Sequence, residues 1–498
     1  MEDANCLTLD SWTDLAKRSS HEILEKNILP GYLQERRWFG SKGRDIHAVA
    51  IINQLAMPGS NISPFLWLLR VEYTDHAIEK YLLPVCFISD RQLPEEQMRP
   101  PLLCRIRLDL ENGWLCDGTW CAEFRTLLLK NFALQSQIPG EGGSHIDFKS
   151  NPAFLAELRE PQPSRVFHAE QSNTSLAFGD KFFFKLYRKV ETGINPDIEL
   201  SKFLTLNSRF TGTPAWMGEV VWYTPEGPIA VGILQQLLPG STVAWNYFLP
   251  MVEHAIHAPA DSNNLLWQKL EQLGKLSASM HEALSAETGS PEFAPESFNV
   301  SQQQQVRTRV LSDISETFEL LRNSLPKLPA HVKEAAMHLL EAQHELGHLI
   351  RDAYLFRTDG RGTRIHGDFH LGQVLVAGDR MLVTDFEGEP ARSYEERRAK
   401  QPPEKDIAGM LRSFQYIVYS VARDHDQALL ENVLHRMTEV YMHACSNESG
   451  EMSGLLRLFV IEKALYELRY ELNNRPDWAM IPIAGIMSVI REGLVHHD

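Results

Sequence analysis

Apolar and polar positions change their rhythm along this chain, from mixed at the start to helical in the second half. Leu9-Asp10-Ser11-Trp12-Thr13-Asp14 opens a helical stretch running toward Leu29-Pro30, with Asp10 or Ser11 as its cap. The apolar runs 48–52, 65–73 and 81–85 then predict strands. From about 91 to 160 the pattern weakens, broken by Pro100-Pro101 and by Pro139-Gly140-Glu141-Gly142-Gly143-Ser144, with one helix predicted over 121–129. That glycine cluster lacks the Lys-Ser/Thr ending of a Walker loop and reads as a turn. Two further strands meet at Gly179-Asp180, the second carrying Lys185. Pro196 fits the first turn of a helix that can turn Ile198, Phe203 and Leu204 toward a sheet. The run 229–238 is a strand ended by Pro239-Gly240. Beyond residue 245 the 3.6-residue period predicts helices over 265–286, 306–321 and 332–355.

Two short β-branched runs sit within that helical half. Val374-Leu375-Val376 and Leu382-Val383-Thr384, joined by Ala377-Gly378-Asp379-Arg380, predict a hairpin. It holds Asp368 before its first strand and Asp385 after its second, with Gln373 between them. Two carboxylates and an amide at one end of a ribbon suit phosphoryl transfer. One carboxylate orients and deprotonates a hydroxyl, while hard oxygen ligands hold Mg²⁺ against nucleotide phosphates.

Composition narrows the class. A chain of 498 residues predicts two or more packed units, and 43% hydrophobic with 23% charged residues suits a globular protein with a sizeable core. The net charge of −16 lacks the general basic footprint of a nucleic-acid binder, though it leaves room for a local phosphate site. No apolar run approaches a membrane span, and Met1-Glu2-Asp3-Ala4-Asn5 is acidic with no apolar segment behind it. The expectation is a cytoplasmic protein, with its six scattered cysteines reduced, structural and not metal-binding.

Two motifs carry competing readings. The basic stretch Glu35-Arg36-Arg37-Trp38-Phe39-Gly40-Ser41-Lys42-Gly43-Arg44 reads as a phosphate-binding loop or as a loop anchored by its two aromatics. His344-Glu345-Leu346-Gly347-His348 matches the zinc-protease His-Glu-x-x-His pattern, whose spacing puts both imidazoles on one helix face. No Gly-x-x-His continuation follows, so a zinc site would need a distant glutamate, and an exposed polar face is the competing reading.

The hairpin resembles the catalytic hairpin of the protein-kinase-like fold in its small-molecule branch, the aminoglycoside phosphotransferase-like kinases. There His-x-Asp followed by Asn or Gln stands for the catalytic loop, and Asp-Phe-x for Asp-Phe-Gly. More widely, the chain resembles the bacterial maltokinases. The resemblance rests on Arg37-Trp38-Phe39-Gly40, Gln171-Ser172-Asn173-Thr174-Ser175, Asn195-Pro196-Asp197-Ile198-Glu199, the stretch 366–375, Asp385-Phe386-Glu387-Gly388-Glu389-Pro390 and the stretch 406–414. It implies an α+β, bilobal protein-kinase-like fold. An N-terminal α+β cap subdomain would cover 1–90, and 91–240 would hold an intermediate subdomain and the kinase N-lobe with its ATP-binding strands and hinge. A mainly helical C-lobe with the catalytic hairpin and sugar site would follow over 241–498.

The resemblance also implies ATP- and Mg²⁺-dependent conversion of maltose to maltose 1-phosphate, feeding α-glucan synthesis from trehalose. In that reading Asp368 deprotonates the anomeric hydroxyl, and Gln373, Asp385 and Glu387 hold Mg²⁺. Ser172, Asn173, Thr174 and Ser175 close over the phosphates that Lys185, positioned by Glu199, neutralises. Main-chain groups from Gln236 to Leu238 read adenine, and Asp406 orders the catalytic loop. His370, Arg412, Tyr466, Glu467 and Tyr470 form the acceptor side, Tyr466 and Tyr470 sharing a helix face at i, i+4. A glucosamine or aminoglycoside kinase is one alternative, since it would keep every ATP residue. A non-catalytic partner of trehalose synthase is another, against which Asp368, Gln373, Asp385 and Lys185 all stand intact. Trehalose synthase is also the protein partner that the family context suggests. The chain itself shows no barrel of repeated strand–helix units for that reaction.

Overall fold

In a computed structural model, which describes residues 6–59, 62–95, 99–158, 162–167, 172–257, 264–286, 289–352, 361–421, 427–445 and 453–495, the chain forms two units. One is Met1–Lys202 with Pro214–Pro239, the other Phe203–Thr213 with Gly240–Asp498.

The first unit opens with a turn whose cap is Ser11. Its hydroxyl accepts from the Thr13 N–H, and Asp14 reaches back to the Ser11 N–H, closing a capping box. The helical stretch behind it is broken into short pieces ending with Leu29–Glu35. It lies on a sheet ordered Cys6–Leu9, Leu102–Leu108, Glu111–Asp117, Ile78–Ser89, Phe65–Tyr73 and Ile46–Ala56. The division expected at residue 90 therefore falls inside this sheet. Leu102–Leu108 turns Cys104 and Ile106 into the core and pairs antiparallel with Glu111–Asp117, which pairs in turn with Ile78–Ser89.

The basic stretch after Glu35 is an anchored loop. Trp38 and Phe39 are buried against Tyr81, at ring distances of 6.0 and 5.1 Å. Beneath them the Glu79 carboxylate accepts from Ser41, Tyr73, Tyr81 and Lys189. Lys189–Val190 comes from beyond this sheet in the sequence, yet it pairs antiparallel with Ile78–Ser89. Just before it, Arg188 is fully buried, with its guanidinium on the Asp117 carboxylate at 2.7 Å.

The second sheet of this unit is antiparallel, ordered Gln137–Pro139, His145–Ser150, Trp216–Thr224, Gly227–Gln236, Phe182–Leu186, Thr174–Phe178 and Ser164–Val166. Helix Ala122–Leu134 sends Phe132 into its core, edge-on to Phe148 at 5.3 Å and to Phe184 at 5.8 Å.

The second unit is mainly helical around a three-stranded sheet, Thr242–Val243, Val374–Ala377 and Arg380–Val383, the last two being the expected hairpin. Helix Gly454–Asn474 packs against Glu404–Val421, Val300–Ser324 and Met480–Val495, and so is apolar on several sides. The helix predicted over 332–355 is two, Ala330–Glu341 and Gln343–Asp352, because Ala342 leaves helical geometry between them. Leu355 lies outside the described residues. His344, Glu345 and His348 all face solvent, and no group of three possible metal ligands among the described residues includes them. The zinc reading is therefore not carried by the structure. Among the described residues no helix is long and apolar enough to cross a membrane.

Candidate active site

On the first unit, residues expected at the nucleotide phosphates stand on neighbouring strands. Lys185, buried in Phe182–Leu186, lies beside Ser175 in register. Its ammonium sits 3.1 Å from Asp197, whose carboxylate also accepts from the Tyr187 hydroxyl at 3.0 Å. The Asn195 side chain caps the helix Pro196–Asn207 by accepting from the Asp197 N–H at 2.8 Å, which fixes the first turn where Asp197 stands. Glu199, the expected partner, follows on the same helix, and Asp197 two residues earlier is a carboxylate on the lysine that sequence reading did not assign.

The polar turn expected over Ser172 to Thr174 is one residue shorter, and of the four residues expected to close over the phosphates two lie in a strand. Ser172 and Asn173 form a bend, while Thr174 and Ser175 are buried in the strand Thr174–Phe178. The Thr174 hydroxyl accepts from Arg188 Nε at 2.8 Å, so it faces the sheet interior. Gln171 lies outside the described residues. At the end of Gly227–Gln236 the N–H groups of Gln236 and Leu237 donate to Ala215 and Lys181 within the sheet. Leu238 follows, half-buried.

On the second unit, one carboxylate shapes the loop that carries Asp368. Asp406, fully buried at the start of Glu404–Val421, accepts from the backbone N–H of His366 at 2.8 Å and of Gly367 at 2.9 Å, and from His281 Nε2 at 3.1 Å. Burial would raise Asp406, but the hydrogen bonds and charges around it keep it ionised, its pKa lowered. The His366 ring accepts the Asp368 N–H at Nδ1 and so donates from Nε2 to the Thr384 carbonyl, tying the loop to the end of the hairpin. Gly409 lets the helix come close beneath: a Cβ there would stand 2.5 Å from the Phe369 carbonyl oxygen.

Asp368 meets an ammonium. Lys463, on Gly454–Asn474, sits 3.0 Å from Asp368 Oδ1 and 3.5 Å from Glu389. Burial alone would raise Asp368, but Lys463, with His370 beside it, holds the carboxyl down to about 2. Its other oxygen, Oδ2, has His370 Nε2 at 3.9 Å. The ring's Nδ1 accepts from the Gly372 N–H at 3.0 Å, which fixes the imidazole. Past the hairpin, Asp385 adopts a left-handed backbone with φ 64°, unusual for a residue with a side chain. Its carboxylate comes within 4.8 Å of that of Glu387, a hard-oxygen pair suited to a divalent cation. Gln373 ends the turn before the first strand of the hairpin, and its carbonyl takes the Thr384 N–H at 2.9 Å.

A cavity of about 270 Å³ opens beside Asp368. Asp313, Asp368, Glu389, Glu396 and Glu462 line it, and Arg309, Arg392, Lys405, Lys463 and Arg469 match them in number. Tyr466 adds an aromatic face and lies under the Lys463 ammonium at 5.2 Å. Of the other expected acceptor residues, His370 stands beside Asp368, and the remaining three stand elsewhere. Arg412 and Glu467 do not line the cavity: they hold one another at 2.6 Å in the core, with Gln415 on the same guanidinium. Burying one charge demands its opposite, so these residues serve packing between helices. Tyr470 is 47% exposed, under Arg475 rather than in the cavity. Sequence reading missed Lys463, Glu389 and Arg392. Nothing in the helix pattern separates that lysine from a solvated one.

Residues 32–120 match the maltokinase N-terminal cap domain. A glucosamine kinase of Mycolicibacterium smegmatis is 28% identical over 341 residues, covering 66% of this chain and 80% of that one. A glucosamine kinase of Streptacidiphilus jiangxiensis is 24% identical, over 65% of this chain and 73% of its own length. A solved glucosamine kinase in complex with glucosamine, ADP and inorganic phosphate superposes with TM-score 0.63 at 16% identity, over 92% of this chain and 98% of that chain. In class, then, the protein has a kinase-like fold. With its cap it is maltokinase-like.

Proposed function

We propose that the protein is a sugar kinase that moves the γ-phosphoryl group of ATP to the anomeric hydroxyl of maltose, giving maltose 1-phosphate. The observation that carries the acceptor assignment is the Lys463 ammonium on Asp368 in a cavity of balanced charge. An amino sugar would bring a second cation to a carboxylate that already has one, whereas a neutral sugar brings only hydroxyls and ring faces. Tyr466 offers the apolar face that a glucose ring stacks on, and the paired charges offer donors and acceptors for its hydroxyls.

The chemistry asks little covalently of the protein. With Lys463 on Oδ1, the acceptor hydroxyl donates to Asp368 Oδ2, and the carboxylate orients it and takes its proton as the phosphorus–oxygen bond forms. A carboxyl held near 2 is a weak base, which suits a loose transition state where the proton leaves late. Lys185, positioned by Asp197, balances the nucleotide phosphates beside Ser172 and Asn173. Asp385 and Glu387, with Gln373, would hold Mg²⁺, which supplies charge neutralisation of the phosphates when bound. The amide and carboxylate oxygens of that set fit a hard cation.

A second reading, glucosamine phosphorylation, is favoured by the names of the similar kinases. ATP consumption with Mg²⁺ across maltose, glucose, glucosamine, trehalose and an aminoglycoside, with product analysis, separates the two. Phosphate on the anomeric carbon of maltose alone is the expected result. Turnover of glucosamine in its place would retire the maltose assignment and keep the kinase. A folded protein that binds ATP and turns over none of them would favour a partner of trehalose synthase.

A further inference from the structure

Three of the six cysteines converge at one corner of the first unit. Cys86 and Cys116 are directly opposite on neighbouring strands, and the Cys116 thiol lies 3.5 Å from the Cys86 carbonyl. Cys121 stands at the start of helix Ala122–Leu134, and its sulfur is 3.4 Å from that of Cys116. Cys86 and Cys116 are buried, whereas Cys121 is partly open to solvent. Two sulfurs in contact, one of them accessible, are more than two core thiols need.

What lies between them gives the contact a consequence. The loop from Cys116 to Cys121 carries Asp117 and Thr119. Asp117 accepts from the Thr119 N–H and hydroxyl, and both residues receive the Arg188 guanidinium. Arg188 in turn donates to Thr174, the first residue of the strand that follows the bend Ser172-Asn173. A chain of buried polar contacts thus runs from the thiol pair to the phosphate-directed bend, all within one unit.

We propose that Cys116 and Cys121 are a peroxide-sensitive thiol pair whose disulfide shifts the Asp117–Arg188–Thr174 contacts. Hydrogen bonds from Cys116 and Cys86, with the nearby Arg125 charge, lower the pKa of the Cys121 thiol against its burial, making it the nucleophile. Its thiolate attacks one oxygen of hydrogen peroxide. The O–O bond breaks, leaving a sulfenic acid on Cys121 and a hydroxide that is protonated to water. Cys116 sulfur then attacks Cys121 sulfur, the S–O bond breaks, and a second water leaves with the thiol proton. Two thiols give up two electrons to one peroxide. Closing the contact to a bond of about 2.0 Å draws the Asp117 loop with it.

Full-length protein is treated with graded hydrogen peroxide, and its non-reduced peptides are mapped by mass spectrometry. The expected product is a Cys116–Cys121 link that forms before Cys104 is oxidised, is reversed by dithiothreitol and is absent in Cys121→Ser. Amide hydrogen exchange over 172–178 is expected to change on oxidation of the natural protein and to stay constant in C121S. A map without the link, or a link that leaves that exchange unchanged, overturns the proposal. The effect on ATP rests on the kinase reading: affinity for ATP·Mg²⁺ should shift roughly fivefold or more. Reduced protein that binds no ATP would sink that reading, while the map and the exchange still decide the thiol pair.

Discussion

Lys463 and Asp368 lie 95 residues apart in the chain and 3.0 Å apart in the fold, an ammonium on the carboxylate expected to activate the acceptor. Replacing the lysine with methionine leaves burial as the leading influence on Asp368. Lys463→Met should lower turnover on the order of 10- to 100-fold. Its acid limb in kcat/KM should also move up. The natural carboxyl ionises at about 2, so the natural enzyme should show no limb from it near its ordinary 3.8, while in the variant it rises above that value. A pH–rate profile with an unmoved acid limb would refute the assignment.

Gly409→Ala tests the seat of the catalytic loop. The added Cβ meets the Phe369 carbonyl at 2.5 Å, and that neighbour is backbone, which cannot swing aside. Turnover should fall on the order of 100-fold with a stability loss of roughly 1–3 kcal/mol. Thermal melts beside steady-state kinetics would reveal it. A variant with natural turnover would mean that the loop's placement is not what matters.

Asp197 carries a prediction of its own. Asp197→Ala takes one carboxylate away from the buried Lys185 ammonium and the Tyr187 hydroxyl, at a cost of roughly 1–3 kcal/mol. If the variant stays folded, KM for ATP should rise while KM for the sugar holds. Kinetics with each substrate varied in turn would distinguish this from a general loss.

Acid should loosen the cap through Glu79. Burial would raise this carboxyl, but Lys189, Tyr73 and Tyr81 outweigh it and bring it to about 2. Its folded pKa lies below its ordinary 4.5. It therefore stabilises the unit above pH 4.5 and loses that contribution as pH falls toward 2. Glu79→Gln should cost roughly 1.5–3 kcal/mol at neutral pH and flatten the pH dependence of unfolding across that window. Urea titrations at several pH values would measure both.

The parts of the site that were legible in the sequence are those whose neighbours are near in the chain. The hairpin is flanked by Asp368 and Asp385, and the helix that starts near Asp406 follows within about twenty residues. Lys185 was legible as a strand lysine upstream of an acidic helix, but the part of Asp197 was not, because that carboxylate meets the lysine only in the folded chain. Arg412 and Glu467 were misread because a sequence displays a charge without displaying its counter-charge on another helix. Lys463 was missed for the same reason in reverse.

The pairing of Lys189–Val190 with the first sheet bears on how the chain is made. Residues 32–120 match a cap domain, yet the sheet at its centre takes a strand, and the buried Arg188, from about 70 residues downstream. As the chain leaves the ribosome, the cap's own strands emerge with one edge unpaired and Asp117 without its counter-charge. They close only when Arg188 to Val190 has also emerged, by which time Phe182–Leu186 is already out. Cap and phosphate-directed strands are thus completed together during synthesis, and a fragment cut after residue 120 would lack the last strand of its own sheet.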